Sequence, residues 1–363
     1  MPAPTSVSAE ERDRALANPG FGRIFTDNMV SIEWDAKEGW HDGRLRPYGP
    51  VHLDPATSFL HYAQGVFEGL KAYRQQNGSV AVFRPDAHAA RFRRSARRLA
   101  LPELPEETFV EAIDLLLEHD QEWAPTAAEQ SLYLRPFMFA SDVGLGVHAA
   151  GEVTFLLIVS PSGSYFPRGV KPVTVWLSED FTRAAPGGTG EAKFGGNYAG
   201  GLLAQAQAER EGCDNVVWLD AAEHAYVEEM GGMNLCFVFG TGANARLVTP
   251  ALTGTLLPGI TRDSLLRLAA DLGYGVEERR VSVNEWRSGC ADGSVSEVFA
   301  CGTAAVITPV GAVKSARGAW EVAGGQPGAV SMRLRQALVD IHRGAARDPY
   351  GWMHPIPRRG PAV

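Results

Sequence analysis

Lys193 is the only lysine of the stretch Pro186-Gly-Gly-Thr-Gly-Glu-Ala-Lys-Phe-Gly-Gly-Asn-Tyr-Ala-Gly-Gly201, which also holds seven glycines. Glycine lets the backbone turn sharply and approach a flat ligand closely, at an entropic cost. A lysine displayed there suits a phosphate contact or a Schiff-base nucleophile. The phosphate-loop pattern Gly-x-x-x-x-Gly-Lys-Ser/Thr does not fit, because Ala192 and Phe194 stand where its glycine and hydroxyl belong. The same residues also suit a flexible surface loop with a solvated lysine, and their types alone do not choose.

Further groupings are able to carry chemistry. Pro258-Gly-Ile-Thr261 runs directly into a helical pattern. That places N–H groups and a hydroxyl at the positive end of a helix, a ready anion site, although an ordinary N-cap threonine looks the same. Arg91, Arg93, Arg94, Arg97 and Arg98 crowd one helix, with Arg91, Arg94 and Arg98 on one face. Their default is a solvated face, but one turned inward would suit a phosphate. Glu228 and Glu229 precede a very apolar strand; they suit a surface turn equally well, but a carboxylate buried there implies a cation beside it. Tyr133 and Arg135 lie two apart on a strand, so both face one way. Such an arginine pairs with an acid or reads a ligand carboxylate. Gly302-Thr-Ala304 is a small-residue turn able to offer N–H donors, or simply a tight β-turn.

The elements that must position these groups are legible in outline. Strands are expected at 28–34, in the second half of 57–74, and at 80–83, 131–140 and 152–160. Helices are expected from Asp86 to about Ala100 and from Glu106 to Trp123, with Phe109, Ile113, Leu116 and Leu117 inward. Residues 1–20 read as a loosely held arm and 40–50, rich in Gly and Pro, as loop. The breaker-dense segment 161–172 reads as a linker, dividing a small N-terminal α/β domain, 1–160, from a larger C-terminal one, 173–363, that carries Lys193. Beyond it, strands are expected at 173–177, 216–219, 233–239, 246–249 and 276–283, and as a pair within 296–310. Helices are expected at 199–212, 262–272 and 329–343. The irregular alternation predicts an α+β or mixed α/β fold.

Composition excludes several classes. The 363-residue chain is 45% hydrophobic and 21% charged, enough for a sizeable core. Its net charge of -8 argues against a general nucleic-acid binder. The four cysteines contain no Cys-x-x-Cys pair and the nine histidines no His-Glu-x-x-His, so we expect no metal and reduced thiols, as in the cytoplasm. No apolar run is long enough for a membrane span.

Six motifs in order resemble the branched-chain amino acid aminotransferases, pyridoxal-phosphate enzymes of fold type IV. They are Leu60-His-Tyr-…-Phe67-Glu-Gly, Tyr133-Leu-Arg-Pro, Gly187-Gly-Thr-Gly-Glu-Ala-Lys-Phe-Gly-Gly-Asn-Tyr198, Glu229-Met-Gly-Gly-Met-Asn, Leu257-Pro-Gly-Ile-Thr-Arg and Gly302-Thr-Ala. The resemblance runs from about Phe21 to Gly351-Trp-Met-His-Pro355.

The resemblance implies two domains, pyridoxal 5'-phosphate as cofactor, and ping-pong transfer of an amino group between leucine, isoleucine or valine and 2-oxoglutarate. It implies that Lys193 carries the cofactor and moves the proton, that Tyr198 bonds the phenolate oxygen and that Glu229 pairs with the ring nitrogen. Arg91, Ile260, Thr261 and Thr303 would hold the phosphate. Thr303, Ala304 and Tyr133 would hold the substrate α-carboxylate, Phe67 and Tyr62 would line the side-chain pocket, and Arg135 would help to accept the glutamate γ-carboxylate. A homodimer with amino-acid and 2-oxo-acid ligands is implied too. Ala305 and Thr308 stand where some animal members carry a Cys-x-x-Cys switch, and Gly232 where some relatives have threonine. D-amino acid aminotransferases and aminodeoxychorismate lyases share the fold but match less of the chain. A non-catalytic nucleotide-phosphate binder would use the same glycine-rich loop.

Overall fold

The computed structural model describes residues 7–127, 129–166 and 169–357. Pro167 and Arg168 of the expected linker, and the first six residues of the expected arm, lie outside them. Two compact units result. The first comprises 1–165, 192–195 and 340–363; the second comprises 166–191 and 196–339. This differs from the boundaries expected from sequence at two places. Lys193 and the C-terminal tail group with the first unit, because strand pairing, which composition does not reveal, ties them there.

In the first unit an eight-stranded sheet is antiparallel throughout. Its order is Met353–Pro355, Val80–Phe83, Leu70–Arg74, Ser131–Ala140, Glu152–Ser162, Asn28–Asp35, Gly39–Pro47, and Gly65–Phe67 also pairs with Ser131–Ala140. The tail enters as the edge strand Met353–Pro355, pairing Met353 with Phe83. The helices Pro85–Arg98 and Glu106–Asp120 join the same core. Phe92 and Phe109, one from each, have ring centroids 5.4 Å apart and meet Phe155 of the sheet at 5.8 and 6.4 Å. Truncating such a buried ring to alanine costs ~3–5 kcal/mol. The first helix starts one residue before the expected cap. Arg84 takes the left-handed cap position (φ 49°) and Pro85, whose φ is preset for a helix, follows it.

Several elements depart from the sequence reading. Gly39–Pro47 is a strand rather than a loop, and Ala9–Ala17 is a helix with a Ser8–Glu11 capping box. The strand expected over 276–283 stops at Glu278, and Val283 opens a helix, Val283–Asp292, capped by the Ser282 hydroxyl.

In the second unit a nine-stranded sheet mixes parallel and antiparallel pairs. Val227–Met230, Asn215–Leu219, Val173–Leu177, Val306–Ser315, Val295–Gly302 and Met233–Phe239 pair in that order, and the last pairs again with the first. These six strands therefore close into a ring, from which Arg246–Thr249, Gly275–Glu278 and Gly318–Glu321 branch. Its inside is a core of Val175, Leu177, Val217, Leu235, Phe237, Val298 and their neighbours. The helix Ile260–Asp271 packs on this unit with Leu265 and Ala269 buried.

Candidate active site

In the first unit the peptide of Lys193 is held from both sides. Its N–H donates to the Ser95 hydroxyl (2.9 Å), and its carbonyl accepts from Phe67 N (3.1 Å). Phe194 forms a bridge with Val66. The ammonium of Lys193 lies 5.0 Å from the centre of the Phe67 ring, and the Arg135 guanidinium lies 4.9 Å from the same centre. Arg135 also donates to the Tyr133 hydroxyl, 3.1 Å away. That hydroxyl occupies the space a Cβ on Gly69 would need, so the glycine after Glu68 is a steric requirement. Lys193, Phe67, Tyr133 and Arg135 thus form one cluster.

Tyr62 is not drawn into this cluster. It ends the short helix Ser58–Tyr62, is 41% exposed, and donates its hydroxyl to the Leu145 carbonyl. Phe21, to which sequence reasoning gave no role, meets Tyr133 edge-on at 5.0 Å. With Phe25, Ile158 and Ser160 it lines a cavity of about 300 Å³ that Tyr133 and Arg135 also border. Arg135 Nε is buried without a hydrogen-bond partner. Arg135 borders that cavity, and a guanidinium there is suited to a carboxylate.

Of the five clustered arginines, Arg91 is the one turned inward; Arg94 and Arg98 are exposed. Its Nε and Nη2 donate to the two Glu68 oxygens at 2.7 and 2.8 Å. His88 donates from Nδ1 to Glu68 Oε2 at 2.7 Å, since an ionised carboxylate only accepts. Burial acts to raise the Glu68 carboxyl, but Arg91 and His88 outweigh it and hold the group well below the usual carboxylate range. Burial lowers His88 against the opposing pull of Glu68, and the permanently charged Arg91 supplies the counter-charge. Glu68 engages one edge of the Arg91 guanidinium and fixes where the opposite edge points.

In the second unit Glu229 sits on the strand Val227–Met230, 1% exposed. The cation that burial demands is Arg183, whose Nε is 3.0 Å from Glu229 Oε2. Its other guanidinium nitrogens donate to the carbonyls of Thr255 and Gly190. Glu229 Oε1 accepts from Asn234 Nδ2 (3.0 Å) and from Leu257 N (2.8 Å). Glu228 faces the other way and bonds Thr255, and burial pushes its carboxyl up. Sequence reasoning missed Arg183; its only signal was the need of a buried carboxylate for a cation.

Leu257 leads into the helix Ile260–Asp271, whose N-cap Gly259 offers no side chain to the first N–H groups. Ile260 and Thr261 are its first two residues, each 7% exposed. Thr303 and Ala304 lie in the turn between Val295–Gly302 and Val306–Ser315. Tyr198, on Gly195–Ala199, lays its ring against Gly232, where a Cβ would be 3.1 Å from Cε1. A side chain at 232 would require that ring to give by a few tenths of an ångström. Among the described residues, no group of three or more His, Cys, Asp or Glu is placed to hold a metal. No described helix is long and apolar enough to cross a membrane.

Residues 65–313 match the family of class IV amino-transferases. The chain belongs to that family. It is 59% identical to a probable branched-chain-amino-acid aminotransferase of Streptomyces coelicolor, over 98% of this chain and 97% of the other. It is 60% identical to the branched-chain-amino-acid aminotransferase of Mycolicibacterium smegmatis, over 94% and 93%. The T.th. branched-chain amino acid aminotransferase, solved in complex with N-(5'-phosphopyridoxyl)-L-glutamate, aligns with a TM-score of 0.72 at 28% identity, over 90% of this chain and 99% of that one. The fold is accordingly that of the fold type IV aminotransferases, and the chain is a transferase.

Proposed function

We propose that the chain transfers the amino group of leucine, isoleucine or valine to 2-oxoglutarate, using pyridoxal 5'-phosphate. The observation that carries this is the Lys193 cluster. A lysine amine, an apolar ring and an arginine that borders a cavity stand together, as an enzyme handling both an aliphatic side chain and a carboxylate requires. The residues also fit the cofactor chemically. Glu229 offers a buried carboxylate for a protonated ring nitrogen, and the uncapped start of Ile260–Asp271 offers N–H groups for a phosphate.

When bound, the cofactor supplies a reactive aldehyde and an electron-withdrawing ring. Lys193 Nζ would hold that aldehyde and, as a free amine, would move the proton to and from the substrate Cα. Glu229, paired with Arg183, would favour a protonated ring nitrogen. Tyr198 hydrogen-bonds the ring oxygen. Arg91, Ile260, Thr261 and Thr303 grip the phosphate. Thr303, Ala304 and Tyr133 orient the α-carboxylate. Phe67 walls the aliphatic chain, and Arg135 meets the glutamate carboxylate. Tyr62 enters the reading through its patch rather than through the Phe67 cluster.

The dimer belongs to the same proposal. Leu60, Tyr62, Val143, Leu145 and Val147 are 41 to 81% exposed. Segments 56–62 and 142–145 are hydrogen-bonded together through Ser58 N to Asp142 O and Gly144 N to Ala56 O. An apolar patch of this kind marks an association surface, and a second copy of the chain is the occupant we propose. A cytoplasmic setting accords with four free cysteines.

The test is Lys193→Ala. It should abolish leucine-dependent glutamate formation and the visible absorbance of the bound cofactor, while the folded protein keeps its circular dichroism. A variant that still turned over leucine would sink the reading.

A further inference from the structure

Asn234 is 5% exposed and lies near the start of the strand Met233–Phe239. Its Nδ2 donates both to Glu229 Oε1 (3.0 Å) and to the Leu257 carbonyl (2.9 Å). Leu257 N returns a bond to the same Glu229 oxygen, 2.8 Å away. The Asn234 Oδ1 lies against Gly259, so closely that no Cβ would fit there. Gly259 is the cap of the helix that starts with Ile260 and Thr261. One amide therefore touches the carboxylate strand at one end and the helix start at the other.

A pyridoxal phosphate carries a protonated ring nitrogen and a phosphate at a spacing its own bonds fix. A protein binds both ends at once only if its carboxylate and its N–H groups match that spacing. Here the two come from different segments, Val227–Met230 and Ile260–Asp271. We infer that Asn234, packed on Gly259, is the positioning residue that sets the distance between the ring-nitrogen site at Glu229 and the phosphate site at Ile260 and Thr261. This rests on the cofactor reading proposed above.

The inference has a signature that a merely structural residue lacks. Two linked half-sites give tight binding only when their separation suits the ligand, because the second contact is then intramolecular. Loosening the brace should weaken the ligand that spans both sites and spare ligands that use one. Glu229 keeps Arg183 and Leu257 N in either case, so the nitrogen half-site survives.

The experiment titrates apoenzyme with pyridoxal 5'-phosphate, with pyridoxal and with inorganic phosphate, following intrinsic fluorescence. The proteins are wild type, Asn234→Ala, Gly259→Ala and Thr261→Ala. Gly259→Ala keeps every hydrogen-bonding side chain and displaces the turn, so it stands in if Asn234→Ala fails to fold. Losing a buried hydrogen bond predicts about tenfold or greater weakening for pyridoxal phosphate in both brace variants. Pyridoxal and phosphate affinities should stay near wild type. Unchanged pyridoxal phosphate affinity, or an equal loss for all three ligands, overturns the inference. If Thr261→Ala leaves pyridoxal phosphate and phosphate affinity unchanged, the assignment of the phosphate site itself fails. Weakening by Thr261→Ala without weakening by the brace variants refutes the brace alone.

Discussion

The backbone N–H of Lys193 donates to the hydroxyl of Ser95, 2.9 Å away, across 98 residues of sequence. Ser95 is one helical turn beyond Arg91 on Pro85–Arg98, so a single helix face holds the lysine loop and presents the inward arginine. A glycine-rich loop is thereby anchored at the residue whose position matters most.

Ser95→Ala should therefore loosen the lysine without touching its amine. Removing one partner of a buried hydrogen bond costs about 1–3 kcal/mol. We expect a lower thermal midpoint and a reduced kcat with cofactor absorbance retained. Ser95→Thr, which keeps the hydroxyl, should recover most of the loss. Full activity in Ser95→Ala would show that the Phe67 contact alone suffices.

Much of this arrangement was legible before the structure. Ser131–Ala140 and Glu106–Asp120 follow their apolar periods almost to the residue, because each buries one face in the core. Gly39–Pro47 was not legible. It is an edge strand with exposed or half-exposed residues throughout, so no alternation marks it, and pairing with Asn28–Asp35 alone forms it. The helix at Val283 did carry a signal, the Ser282-Val-Asn-Glu285 capping pattern, which the apolar run before it obscured. For the site, residue types named Lys193 and Glu229, but not their companions. Ser95 and Arg183 reach them only through tertiary contacts, which no local pattern encodes.

His342 gives a pH prediction. It is buried, stacks on Tyr73 at 4.5 Å and meets Phe83 edge-on, and neither ring nitrogen has a hydrogen-bond partner. Burial, with a smaller push from Lys71, lowers its pKa from 6.5 to about 3. A group whose folded pKa is depressed contributes stability above its unfolded pKa and loses it as pH falls toward the folded value. The thermal midpoint should thus decline between pH 6.5 and pH 3 in part through this residue. His342→Phe should flatten that part of the curve. An unchanged slope would assign the acid sensitivity to other groups.

The exposed patch yields an assembly prediction. Leu145→Asp and Val147→Asp place charges on side chains that are 66 and 81% exposed, so they should not harm the fold of one chain. Burying an unpaired carboxylate at an interface is strongly unfavourable. Sedimentation should show the double variant shifted toward monomer, with wild type dimeric. Identical sedimentation of the two proteins would remove this surface from the proposed interface.

The pocket must alternate between two unlike side chains, and we propose Arg135 as the residue that tells them apart. It bears on the Phe67 ring at 4.9 Å and on the Tyr133 hydroxyl at 3.1 Å. Its Nε stays buried without a hydrogen-bond partner. The aliphatic chain of leucine needs only the apolar wall, where one methylene is worth ~1–3 kcal/mol. The second carboxylate of glutamate needs a cation, and losing that contact costs ~2–5 kcal/mol. Arg135→Met keeps the stem and removes the charge. It should slow the glutamate half-reaction by far more than the leucine half-reaction in single-turnover absorbance measurements. Tyr133 loses one hydrogen-bond donor in the same variant, so a small loss common to both half-reactions is expected. A large and equal loss in both would mean that Arg135 serves chiefly to hold Tyr133, and that another group reads the second carboxylate.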